Sequence, residues 1–214
     1  MDLLNGKLPN GRTIRTDAGF RHRRKYENKN LLHRLALDRF FRQIGEEINA
    51  LTPSVTLDFG SGEGYFLQAL EKRRVDLGSV VGIDIRADAV EEARRRCPMH
   101  RFQQVDLLEW TLPERSFDLV IASQVLEHLP EPLIYLKRLC ALSRGFLLLT
   151  VPCEPWFRLL NLLRGRDLAC LGNHPEHVNL WRFQRFVQFV GEVAQVKKAY
   201  TVMPFTIVLA KPNE

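Results

Sequence analysis

Val55-Thr56-Leu57-Asp58-Phe59-Gly60-Ser61-Gly62-Glu63-Gly64-Tyr65-Phe66 is the stretch on which the fold of this 214-residue chain turns. An apolar run rich in β-forming residues ends in an acid and then in glycines at every second position. After Gly64 the pattern switches to helical, with Phe66, Leu67 and Leu70 spaced for one face. Glycines at a strand-to-helix turn remove Cβ atoms where a ligand must approach the backbone, and they admit dihedral angles closed to other residues. The helix that follows presents its free N–H groups to whatever occupies the turn. The stretch has the form of a nucleotide-type ligand site.

Working outward, strands alternate with helical segments. Val80–Ile85 is a second strand, followed by a helix over Asp88–Arg96 that Pro98 stops. Phe102–Asp106 is a short third strand, and Phe117–Ala122 a fourth, nearly continuous in apolar residues as in strands buried on both faces. Pro132–Leu142 is helical, and Gly145–Val151 forms a fifth strand closed by Pro152. Upstream, the apolar stripe from Leu31 to Ile48 predicts a helix. Downstream, Trp156–Leu171 is an apolar helix punctuated by Arg158, Arg164 and Arg166, and a His-rich loop, Gly172–His177, follows. A helix over Arg182–Val190 then leads to two strands, Ala194–Val202 and Phe205–Ala210, joined at Met203-Pro204 as a hairpin. The alternation predicts an α/β, doubly wound, parallel sheet.

Composition agrees with one globular domain and a small cap: 45% of residues are hydrophobic and 26% charged. No apolar run reaches the roughly 18 residues that span a bilayer, and Met1–Gly6 lacks the pattern of a signal peptide. Cys97, Cys140, Cys153 and Cys170 form no CxxC pair, which suits a reduced, cytoplasmic protein without a metal site. Net charge is +6, and between Arg12 and Arg42 ten Lys or Arg stand against three acids. That segment is either a solvated helix face with a loose arm or a contact for an anionic partner. Residues 1–52 are accordingly a basic arm and helix, and 53–214 the main domain, with an insert at about 153–181.

In an open α/β sheet the ligand crevice lies beyond the carboxyl ends of the strands, where strand order reverses. The glycine turn reaches that edge. So does Asp84, twenty residues after Gly64, a spacing suited to an acid that accepts hydrogen bonds from ribose hydroxyls. Asp106 and the Ser123–His128 loop end there too. A dinucleotide site is normally written G-x-G-x-x-G, whereas this turn is one residue shorter and follows Asp58. The shorter turn disfavours a pyrophosphate. Asp106, placed to accept from an exocyclic amine, suits a ligand with adenine and ribose. Acids at Asp58, Glu63, Asp84 and Asp106 suit one that carries positive charge.

Asp58-Phe-Gly60-Ser61-Gly62-Glu-Gly64, Gly82-Ile-Asp84-Ile85, Val105-Asp106-Leu107, and Phe117–Val120 with Leu126–Leu129 resemble the successive motifs of class I S-adenosylmethionine-dependent methyltransferases. The resemblance covers residues 55–151 and is greatest to the small-molecule branch that includes quinone-biosynthesis methyltransferases. It implies a Rossmann-like seven-stranded sheet, mostly parallel with an antiparallel last strand. It implies that Asp58, Gly60, Ser61, Gly62 and Gly64 form the cofactor turn and that Asp84 holds ribose hydroxyls with Ile85 against adenine. Asp106 would accept from the adenine amine, the Leu107 backbone would serve a ring nitrogen, and Ser123 and Gln124 would border the sulfonium. The implied cofactor is S-adenosylmethionine, leaving as S-adenosylhomocysteine.

Methyl transfer from a sulfonium is an in-line displacement that relies on orientation and exclusion of water. A hydroxyl acceptor is helped by a general base, for which His128, His174 and His177 are the candidates. For each of them a loop-bracing hydrogen bond is the plainer role. Cys153 lacks the Thr-Cys pair of RNA cytosine-C5 methyltransferases, and Ser123-Gln124 replaces the Asn/Asp-Pro-Pro-aromatic signature of adenine-N6 enzymes. The insert predicts an apolar or lipid-linked acceptor, with peripheral membrane association as a corollary of its arginines. A tRNA or rRNA methyltransferase that uses the basic arm is a second reading, and a silent binding or scaffold protein a third.

Overall fold

The computed structural model describes residues 31–158 and 178–213. Helix α1 (Leu31–Leu51) precedes β1 (Val55–Phe59), α2 (Tyr65–Glu71), β2 (Ser79–Asp84), α3 (Ala87–Arg96) and β3 (Arg101–Gln104). Then come β4 (Phe117–Ser123), a 3-10 turn (Leu126–His128), α4 (Pro132–Leu142) and β5 (Ser143–Pro152). After the insert lie α5 (Phe183–Gly191), β6 (Ala194–Val202) and β7 (Phe205–Pro212).

The seven strands form one sheet in the order β3-β2-β1-β4-β5-β7-β6. β1 pairs in parallel with both β2 and β4, so the order reverses between β1 and β4. That is the switch point at which α/β sheets open a crevice. β2–β3 and β4–β5 are also parallel, whereas β7 runs antiparallel between β5 and β6. The Rossmann-like, mostly parallel sheet with its antiparallel hairpin is as the sequence led us to expect.

Side chains on successive strand residues point to opposite faces, and each face is covered. On β4, Leu119 and Ile121 enter one core cluster while Val120 and Ala122 enter the other. On β7, Ile207 and Leu209 divide from Val208 and Ala210 in the same way. The near-continuous apolar runs in these strands come from this double burial. The first face receives Phe40, Phe41, Ile44 and Ile48 from α1. Their rings seat the helix: Phe40 lies 4.6 Å from Phe205 and Phe41 lies 5.7 Å from Phe66. Glu47 of α1 also accepts from Tyr200 Oη at 3.1 Å and pairs with Lys198. The second face receives Leu136, Leu139 and Leu142 from α4 and Phe186 and Val190 from α5.

One element departs from expectation. β3 ends at Gln104, so Asp106 lies in the turn beyond the strand rather than closing it. Asp118, in the Phe117–Val120 motif, sits at the amino end of β4, opposite the crevice. Its Oδ2 accepts from the Ser54 and Val55 N–H groups, both at 3.0 Å, and Arg144 Nε donates to Oδ1 at 2.7 Å. The Arg144 hydrogen bond, aided by those backbone donors, holds the Asp118 carboxyl below the usual carboxylate range. The motif thus aligns the starts of β1, β4 and β5. Among the described residues no helix is long and apolar enough to cross a membrane.

Phe186 is fully buried and packs 5.5 Å from the Trp181 ring, joining α5 to the second core. Phe186→Ala should lower unfolding free energy by about 3–5 kcal/mol, read as a lower urea midpoint at unchanged m.

Candidate functional site

The turn between β1 and α2 is held from two sides. Gly60 and Ser61 N–H groups donate to Ile83 O at 2.8 and 3.0 Å, tying the turn to the end of β2. On the other side a Cβ on Gly60 would lie 2.5 Å from Val125 Cγ2, and Gly60 takes φ +70. A side chain at 60 would therefore collide with the loop after β4 as well as strain the backbone. Gly62 differs. It takes φ +52, and a Cβ there would meet no protein atom within 4 Å. The backbone at Gly62 faces open space, which is the property required of a ligand cradle.

Asp84, at the end of β2, stands beside that opening. Its Oδ2 accepts from Gly62 N–H at 2.9 Å and its Oδ1 from Arg86 N–H at 2.9 Å. Ile85 is 42% exposed, an apolar face next to the carboxylate. Beyond it a cavity of about 350 Å³ is lined by Ile85, Gln104, Val105, Asp106, Glu109, Trp110 and Thr111. Asp106 Oδ1 accepts from Leu108 N–H at 2.9 Å, and Leu107 is buried beneath. The structure therefore gathers Asp58, Gly60–Gly64, Asp84, Ile85, Asp106 and Leu107 around the switch point. Glu109, Trp110 and Thr111 join them without having been expected. They follow Asp106 within five residues, which was the signal available.

Glu63 does not belong with the free acids. Its Oε1 lies 3.1 Å from Arg86 Nη2, and the Arg86 Nε lies 3.7 Å from Asp84 Oδ1. Arg86 thus matches the charge of Glu63 and shares that of Asp84. Asp58 is buried under the turn at the end of β1, and its Oδ2 has no hydrogen-bond partner. Burial, and then the nearby Asp84 charge, push its pKa up to about 8. An orphaned carboxyl oxygen below a cradle open at Gly62 is compatible with a ligand that brings a hydrogen-bond partner to it.

On the β4 side, Ser123 closes the strand and Gln124 adopts φ +60. Ser123 Oγ lies 3.0 Å from Thr150 Oγ1, and Gln124 Nε2 donates to the same oxygen at 3.3 Å. His128 ends the 3-10 turn, its Nε2 3.9 Å from Glu127 Oε1. Residues that flank the insert are fastened to this loop. Val178 and Asn179 N–H groups donate to Glu127 O at 2.9 and 3.0 Å, and Glu154 N–H donates to Trp181 O at 2.9 Å. Both ends of the insert therefore meet the carboxyl edge of β4 and β5. His174 and His177, like the basic arm over residues 1–30, lie outside the described residues.

Residues 20–191 match the model of a family described as "Methyltransferase domain". A trans-aconitate 2-methyltransferase of Rhodopseudomonas palustris (strain HaA2) is 32% identical over 98 residues, 46% of this chain and 38% of that protein. The enzyme of that name from Methylobacterium radiotolerans is 35% identical over 128 residues, 56% of this chain and 48% of its own length. The chain spans well under two thirds of these curated relatives. Among solved structures, magnesium protoporphyrin IX methyltransferase from Synechocystis PCC 6803 with bound SAH superposes with a TM-score of 0.68 at 20% identity. That match covers 92% of this chain and 95% of the other, and it shows the fold.

The raised Asp58 pKa has a consequence for stability. The folded protein keeps this proton between about pH 4 and about pH 8, where the unfolded chain has lost it. Folding is therefore penalised progressively as pH rises through that window and constantly above it. Asp58→Asn should remove this slope, so the variant gains on the wild type between pH 5 and 8 in urea unfolding.

Proposed function

The chain belongs to the class I S-adenosylmethionine-dependent methyltransferases, and on that premise we propose that it transfers a methyl group to a small, apolar acceptor. The observation that carries the reading is the backbone opening at Gly62 with the Asp84 carboxylate fixed beside it.

The residues fit the cofactor. Asp84 uses one acceptor site per oxygen on backbone N–H groups, which leaves lone pairs for two ribose hydroxyls. Ile85 supplies an apolar surface for adenine. Asp106 commits Oδ1 to Leu108 and leaves Oδ2 for the exocyclic amine, with the Leu107 backbone beside it. The turn Gly60–Gly64 would seat the methionine portion at its open backbone, Gly62, above the unpaired Asp58 oxygen. When bound, S-adenosylmethionine supplies a methyl carbon on a positively charged sulfur, which needs no further activation. The protein's task is orientation and exclusion of water, effects that together can supply roughly 7–11 kcal/mol. Ser123 and Gln124 line the path at the β4 tip. His128, on the loop after β4, is the candidate base for a hydroxyl acceptor among the described residues.

Several features support an apolar acceptor. Trp156, Val178, Leu180 and Met203 are 48%, 61%, 46% and 42% exposed. Each lies within three residues of a backbone hydrogen bond that joins the insert ends to the carboxyl edge. The insert at about 153–181 would then form the acceptor cap. The relatives named for trans-aconitate and the structural neighbour named for magnesium protoporphyrin IX both point to a small molecule rather than RNA.

Calorimetric titration with S-adenosylhomocysteine tests the reading, and failure of the wild type to bind would remove it in favour of a silent scaffold. Asp84→Asn should weaken binding by roughly 10–100-fold, from loss of charge-assisted hydrogen bonds. Acceptor binding should depend little on salt. A steep loss between 50 and 200 mM salt, the kind of range over which phosphate contacts are lost, would instead favour an RNA acceptor.

A further inference from the structure

We propose that Thr150 is a positioning residue that sets the cofactor turn from two strands away, acting through Gln124 and Val125. The inference rests on the reading of Gly60–Gly64 as the cofactor seat.

Gln124 is a non-glycine residue at φ +60, in the left-handed region where a side chain crowds its own backbone. Such a conformation persists only where the surroundings over-determine it, and it tends to be kept at functional sites. Here the surroundings are Thr150. The β4–β5 ladder ends at the Ser123↔Thr150 pair. Just beyond it, Gln124 N–H donates to Thr150 O at 2.9 Å and Gln124 Nε2 donates to Thr150 Oγ1 at 3.3 Å. Ser123 Oγ closes the group at 3.0 Å from Thr150 Oγ1, and Thr150 itself is fully buried.

The reversal at Gln124 directs Val125 onto Gly60. Val125 Cγ2, Cγ1 and Cβ would lie 2.5, 3.0 and 3.4 Å from a Cβ at that glycine, so Val125 fills the space a side chain would need. From the opposite side, Ile83 O receives both the Gly60 and Ser61 N–H groups. The turn is therefore gripped between β2 and Val125. Relaxing Gln124 to an ordinary φ would withdraw Val125 and release one jaw of that grip. Thr150 needs no contact with the cofactor to govern how firmly the turn is pre-formed, and preorganisation of a site raises affinity by lowering the cost of ordering on binding.

Its hydroxyl bonds separate Thr150 from a residue that merely packs. Valine fills the same volume but cannot bond Ser123 or Gln124. Serine keeps the hydroxyl. Glycine at 124 adopts φ +60 without strain and so makes the Thr150 hydroxyl dispensable.

S-adenosylhomocysteine affinity of the full chain should fall roughly tenfold in Thr150→Val and stay within about twofold in Thr150→Ser. In a Gln124→Gly background, Thr150→Val should cost no more than about twofold, because coupled residues are non-additive. Equal losses in both backgrounds, or wild-type affinity in Thr150→Val, would overturn the proposal. Hydrogen exchange at the Gly60, Ser61 and Gly62 amides provides a readout without cofactor, and it should accelerate in Thr150→Val and in Val125→Ala. Unchanged protection there refutes the grip even if the wild type binds no cofactor, an outcome that would separately refute the cofactor reading. If Thr150→Val fails to fold, Val125→Ala carries the same test.

Discussion

One carboxylate joins three parts of the molecule. Asp84 accepts Gly62 N–H on one oxygen and Arg86 N–H on the other. The turn after β1, the end of β2 and the start of α3 are thereby fixed to a single planar group. A charged acceptor makes such bonds stronger than neutral ones. Arg86 adds a second layer, spanning from Asp84 to Glu63 within the turn itself. The geometry of the crevice follows, since the open backbone at Gly62 and the exposed face of Ile85 are positioned by the same carboxylate.

The two ends of the sheet are built on different terms. At the amino edge Asp118 is saturated by Ser54, Val55 and Arg144. At the carboxyl edge Asp58 Oδ2, Ser61 Oγ and Glu63 Oε2 are buried without hydrogen-bond partners. Unmet hydrogen-bonding capacity costs stability, and it is tolerated where function requires it. The contrast separates the edge that stabilises the fold from the edge that binds.

What was legible in the sequence was local. The glycine spacing, the acid that closes β2 and the apolar strand runs each declare themselves within a few residues, and the switch point follows from their order. What escaped required contacts between distant residues. Glu63 looked like one of several acids facing a cation, but its partner, Arg86, comes from the next βα turn. Phe117–Val120 was legible as a motif at the start of β4, yet the partners that Asp118 finds there, Ser54, Val55 and Arg144, come from distant segments. Thr150, in the middle of an apolar run, carried no mark at all. Its hydrogen bonds cross from β5 to β4, and the strain they hold at Gln124 is invisible without dihedral angles. The long turn past β3, with Trp110 and Glu109 in the cavity wall, was hidden because the strand is shorter than its apolar pattern.

The position of β7 bears on how such a chain is made. Residues 205–212 pair with β5 on one side and β6 on the other, so a late segment occupies the sheet's interior while the earlier β6 takes its border. During vectorial synthesis β5, with Leu147, Leu148 and Leu149, waits with one row of backbone donors and acceptors unmatched until β7 emerges. An open apolar strand border is a template for pairing with other chains. Pairing with β7 is what withdraws this border, and a chain interrupted before residue 205 would leave it open to other chains.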